Sequence, residues 1–102
     1  MESNRITIKD VEKDLPALRL NCTILDVRDR DEFKSGHIPG AVNIPLNEIR
    51  DRLSELDKKK KVVTVCLSGG RASKAAALLE SKGYNVKSMA EGMSKWEGPL
   101  DH

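Results

Sequence analysis

The run Val62-Val63-Thr64-Val65-Cys66-Leu67-Ser68-Gly69-Gly70-Arg71-Ala72-Ser73 decides how this chain is read. Four consecutive β-branched residues, Val62 to Val65, have the composition of a strand buried on both faces. Cys66 stands where that strand ends. Ser68, Gly69 and Gly70 follow, and small residues let backbone N–H groups crowd around one point. From Arg71 the residues Ala72 to Glu80 carry a strong helix pattern, with Ala75, Ala76, Leu78 and Leu79 available to a core. The order is strand, cysteine, glycine-bearing turn, helix. It aims the free N–H groups of a helix N-terminus at the centre of the turn, where they favour negative charge and so the thiolate form of a cysteine. A cysteine within a strand is usually a small core residue. At the C-terminal end of a strand in an α/β pattern it is a candidate nucleophile, because open parallel sheets place their sites there.

On either side of this run the punctuation is regular. Ile6-Thr7-Ile8 reads as a short strand, and Lys9 to Leu20 as a helix that Pro16 should end or kink. Thr23 to Val27 is a second strand with Asp26 and Arg28 at its C-terminal edge. Asp29 to Lys34 forms a short helix, with Asp29 as N-cap and Glu32 three residues on. Ser35 to Gly40 is a turn by composition, Ala41 to Ile44 a brief strand stopped by Pro45, and Asn47 to Leu56 an amphipathic helix. Beyond the central helix, which Gly83 caps, Tyr84 to Met89 gives the last strand. Gly92 to Trp96 makes a short terminal helix whose Trp96 packs back onto the body. Strands alternating with helices predict an α/β fold over residues 1–102: one domain with a mostly parallel sheet of about five strands, flanked by helices on both faces.

Composition narrows the function classes. The chain has 102 residues, 38% hydrophobic and 33% charged, which suits one small, heavily solvated domain. One Trp, one Tyr and one Phe leave no aromatic platform for nucleic-acid bases, and a net charge of +2 implies no polyanionic partner. The Lys58-Lys59-Lys60-Lys61 run reads as a solvated connector. Cys22 and Cys66 lack the spacing and the flanking histidines of a zinc site, and Cys22 reads as a small core residue. No apolar segment precedes Asn21, so neither a signal peptide nor a membrane span is expected, and a free Cys66 fits a reducing, cytoplasmic setting.

Three motifs carry a resemblance. Leu25-Asp26-Val27-Arg28, then Glu32-Phe33, then Gly36-His37-Ile38-Pro39-Gly40-Ala41-Val42-Asn43-Ile44-Pro45 resembles the first signature of the rhodanese family. Cys66 to Ser73 resembles its active-site loop, and Gly92-Met93-Ser94-Lys95-Trp96 its C-terminal signature. The likeness spans nearly the whole chain in the order and spacing of the single-domain members. It implies a sulfurtransferase in which Cys66 takes a sulfane sulfur from a donor such as thiosulfate or a persulfide. The resulting Cys66 persulfide hands that sulfur to cyanide, a thiol or a sulfur-accepting protein. No cofactor or metal is implied, and a monomer or weak dimer is expected.

In this reading Cys66 is the catalytic residue, and Leu67, Ser68, Gly69, Gly70, Arg71 and Ala72 bind the substrate. Backbone N–H groups suit both the thiolate and the persulfide anion, because fixed dipoles need no reorganisation. Arg71 is the loop's only cation and is expected to act on bound anions. Asp26 and Arg28 form a supporting ion pair or backbone clamp. His37, in its Gly-His-Ile-Pro-Gly turn, is a structural residue rather than the partner of a Cys/His dyad. The sequence departs from the family pattern at Leu67, a position often charged or polar, and at Glu91, often a glycine. Both departures weaken the case for a dianionic donor. Two rival functions remain: a non-catalytic persulfide relay for a protein partner, and a cysteine phosphatase or arsenate reductase. The related phosphatases place their arginine six residues after the cysteine, whereas Arg71 follows Cys66 by five.

Overall fold

The computed structural model describes residues 5–102. Along the chain come β1 (Arg5–Ile6), α1 (Ile8–Asn21), β2 (Cys22–Asp26), α2 (Arg30–Lys34) and β3 (Val42–Asn43). A 3₁₀ segment (Leu46–Glu55) follows, then β4 (Lys61–Val65), α3 (Gly70–Ser81), β5 (Val86–Met89) and a final 3₁₀ turn (Met93–Lys95). Among the described residues the strands form one sheet in the order β1-β5-β4-β2-β3, and every neighbouring pair is parallel.

β4 lies at the centre, and its side chains alternate between two cores. Val62 packs with Ala72, Ala75, Ala76 and Leu79 of α3 and with Ile49 of the 3₁₀ segment. Val63 and Val65 pack with Ile8, Val11 and Leu15 of α1 on the other face. All three valines are fully buried, each worth about 1.5–3 kcal/mol of transfer free energy. Helices therefore cover both faces of a parallel sheet, as the run of β-branched residues predicts. All the strands end at the same edge, which brings Cys66, Arg28 and Glu91 to one end of the molecule.

Several boundaries differ from the sequence reading. Thr7 is not in a strand: its hydroxyl accepts from the Asp10 N–H, 3.1 Å, and caps α1, so Ile8 is helical. Pro16 neither ends nor divides α1. It sits on the exposed side, where water can take the hydrogen bond its ring forgoes, while Val11 and Leu15 anchor the opposite face. The 47–56 helix is 3₁₀ and bends at Arg52 (φ −123°, ψ 19°). Only Val42 and Asn43 of the third strand pair with β2, and the last strand pairs from Val86. Gly83 adopts φ +90° just past α3, as a helix-terminating glycine does. Trp96 packs on the α1 side, its indole N–H donating to the Pro99 carbonyl, 2.9 Å. Among the described residues no helix is long and apolar enough to cross a membrane.

Candidate active site

Cys66 follows the last residue of β4 and is only 1% exposed. Its Sγ accepts the backbone N–H of Gly69 at 2.9 Å and of Ala72 at 3.2 Å. Gly69 makes the turn with φ +103°, a conformation that side chains resist. Thr64 lies on β4 and donates its hydroxyl to the Ala72 carbonyl, 2.8 Å, which pins the first turn of α3 to the strand below it. The N-terminus of α3 is thereby held over one sulfur atom. Leu67, Ser68 and Gly70 line the exposed side of the loop.

The back of the loop rests on the C-terminal segment. The Met93 N–H donates to the Cys66 carbonyl at 2.7 Å, and the Ser94 N–H to the Leu67 carbonyl at 2.9 Å. Gly92 (φ +75°) lies against the Leu67–Ser68 peptide, where a Cβ would collide with backbone. Glu91 before it has φ +72° and is exposed.

Asp26 and Arg28 form a buried clamp beside this loop. The Arg28 guanidinium donates to both Asp26 carboxylate oxygens, the shortest bond 2.8 Å, and to the Gly36 carbonyl, 2.8 Å. The Asn43 side-chain amide donates to the Asp26 and Arg28 carbonyls, at 3.0 and 2.9 Å. The Val27 N–H reaches the Val65 carbonyl, 2.9 Å, joining the clamp to the residue before Cys66.

Arg71 does not point freely into the site. Its guanidinium forms a two-bond fork with the Glu32 carboxylate, at 2.8 and 3.0 Å. That fork, reinforced by the Asp29 N–H, 2.9 Å from Glu32 Oε1, holds the Glu32 carboxyl at about 2, well below its ordinary value. The sequence identifies Glu32 as the capping partner of Asp29 and as part of the first signature. Its contact with Arg71, 39 positions on, carries no local signal.

Residues 7–99 match the family model of the rhodanese-like domain. The chain belongs to the rhodanese-like family. It is 40% identical over 79 residues to YrkF of Bacillus subtilis, named as a proposed sulfur carrier protein, a match covering 76% of this chain and 43% of that one. It is 38% identical over 74 residues to the thiosulfate sulfurtransferase GlpE of Pseudomonas syringae, covering 72% of this chain and 70% of the relative. The crystal structure of a rhodanese-related protein from Thermoplasma volcanium superposes with a TM-score of 0.87 at 28% identity, covering 96% of this chain and 97% of that one. Against YrkF the rhodanese-like chain spans less than half of the relative's length.

The other residues singled out in this rhodanese-like chain lie elsewhere. His37 stacks on Phe33 with ring centroids 3.7 Å apart, and its Nδ1 lies 2.9 Å from the Phe33 carbonyl. Its backbone pairs with Asp101, so the turn uses it as a brace. Cys22 is half-buried rather than part of the core, because it opens β2 at the far edge of the sheet from Cys66. Among the described residues no three His, Cys, Asp or Glu side chains gather as metal ligands.

Proposed function

We propose that this rhodanese-like domain transfers sulfane sulfur through a persulfide on Cys66. The observation that carries the reading is the pair of N–H groups, from Gly69 and Ala72, converging on the Cys66 Sγ. The names of the GlpE and YrkF relatives point to the same chemistry. In the first half-reaction the Cys66 thiolate attacks the outer sulfur of a donor. With thiosulfate, a new S–S bond forms to Cys66, the donor's own S–S bond breaks, and sulfite leaves with the electron pair. In the second, cyanide or a thiolate attacks the terminal sulfur of the persulfide and restores the Cys66 thiolate. The fixed N–H groups stabilise anionic sulfur in both states. Leu67, Ser68 and Gly70 form the face the donor meets, and the Asp26–Arg28 clamp holds the strand ends beneath it.

The test is intact-protein mass spectrometry after incubation with thiosulfate, glutathione persulfide or mercaptopyruvate. One added sulfur on Cys66, discharged by cyanide or a thiol and absent in Cys66→Ser, is expected, and Cys22→Ser should load normally. Absence of the adduct with every donor would end the reading. A relay serving a protein partner is the second reading, supported by YrkF, in which the matched region is part of a longer chain. It predicts loading without rapid turnover on small acceptors. Aryl phosphatase activity should be negligible, because the five-residue step from Cys66 to Arg71 encloses one sulfur rather than a tetrahedral phosphate.

A further inference from the structure

Both arginines beside the Cys66 loop are held by carboxylates. Arg28 is buried against Asp26, and Arg71 is forked onto Glu32. From Leu67 to Ala72 there is no other cation. Beyond Glu32, the Cys66 sulfur and then Asp29 also act on Arg71, and Asp29 adds a second carboxylate beside it. The residue next to Cys66 is Leu67, which is 44% exposed and offers an apolar surface at the loop. A dianion approaching this loop meets hydrogen-bond donors, and the loop's own cation, Arg71, is already paired with Glu32. A sulfane sulfur carried on an organic body meets a surface that matches it.

We propose that Glu32 sets donor choice: by neutralising Arg71, it makes the Cys66 loop select organic persulfides over inorganic thiosulfate. The inference rests on sulfur transfer at Cys66 and names the substrate class of that site. The step balances without a further reagent. The Cys66 thiolate attacks the outer sulfur of R–S–S–H, the S–S bond breaks, and R–S⁻ leaves with the electron pair. The transferred sulfur keeps its proton or gives it to the departing thiolate. Glu32 touches neither donor nor sulfur. It is a positioning residue, acting through the guanidinium it holds.

The experiment measures kcat/KM with thiosulfate and with glutathione persulfide, at several salt concentrations, for the wild type and Glu32→Gln. Glutamine keeps an acceptor for the Asp29 N–H while removing the charge. The wild type is expected to prefer the persulfide, with a nearly flat salt dependence for thiosulfate. In Glu32→Gln the thiosulfate-to-persulfide ratio of kcat/KM should rise about tenfold, through a lower KM for thiosulfate, and salt should now depress the thiosulfate reaction. A folded Glu32→Gln protein with an unchanged ratio would overturn the proposal. If the variant does not fold, the wild type still decides: a preference for thiosulfate that falls steeply with salt would show that Arg71 acts as a free cation. Failure of both donors to load Cys66 would instead remove the sulfur-transfer reading itself.

Discussion

Gly92 presses its Cα against the Leu67–Ser68 peptide, so the C-terminal segment and the cysteine loop meet backbone to backbone. No side chain fits between them: a Cβ on Gly92 would fall 2.6 Å from the Ser68 nitrogen and closer still to the Leu67 carbonyl. Two further contacts lock the same seam, from the Met93 N–H to the Cys66 carbonyl and from the Ser94 N–H to the Leu67 carbonyl. The loop's shape is thus set from behind by residues more than twenty positions away.

Gly92→Ala should cost about 2–4 kcal/mol, combining left-handed strain with the displacement of the loop peptide. Sulfur loading of Cys66 should fall with it. Gly70→Ala is the contrast, because a Cβ there meets nothing within 4 Å. Its stability should match or slightly exceed the wild type. Urea unfolding of the two variants checks both statements, and equal effects would show that the seam is not what holds the loop.

Asp26→Asn leaves the buried Arg28 guanidinium without its countercharge. The expected loss is about 3 kcal/mol or more, since an uncompensated buried charge costs far more than a broken surface pair. The Gly36 carbonyl still accepts from Arg28 and tempers the loss. Chemical denaturation at neutral pH measures it. A change below about 1 kcal/mol would mean that the clamp is hydrated in solution.

Thr64→Val removes the hydroxyl that ties β4 to the Ala72 carbonyl while keeping the β-branched shape. A loss of about 1 kcal/mol is expected for the missing bond. Hydrogen exchange should also quicken at the Ala72 amide, whose position over the Cys66 Sγ depends on that tie. If exchange there is unaltered, the helix start is positioned by packing alone.

The Glu32–Arg71 fork predicts an acid-side dependence of stability. The Glu32 carboxyl is lowered from its ordinary 4.5 to about 2, first by hydrogen bonding to Arg71. Between those values the unfolded chain binds more protons than the folded one, so stability rises with pH across the window. The contribution is complete above about 4.5 and is lost as pH falls through about 2. The two side chains are 33% and 31% exposed, so screening by water and salt reduces its size. Melting curves across this window should be shallower for Glu32→Gln, by an amount that added salt diminishes. Identical slopes for the two proteins would show that the pair contributes nothing to folding.

The amino-acid sequence by itself determined the order of elements and the place of Cys66 at the turn between β4 and α3. Val62 to Val65 could only be a doubly buried strand, and the small residues after Cys66 could only make a tight turn into a helix. Those properties are local, because branching at Cβ, the absence of a side chain and helical spacing act within a few residues. Even the Asp29–Glu32 cap was legible, three positions apart. Tertiary structure decided what the local signals could not carry. Pro16 stays inside α1 because its missing bond faces water while Val11 and Leu15 hold the other side, a balance that depends on where the sheet lies. The fork between Arg71 and Glu32 exists because α2 and the start of α3 meet at the same edge of a parallel sheet, joining residues 39 positions apart. The need for a glycine at 92 arises from how closely the terminal segment approaches the Leu67–Ser68 peptide. Charge pairing and backbone approach depend on distances in space, and those distances are settled only when the strands take the order β1-β5-β4-β2-β3.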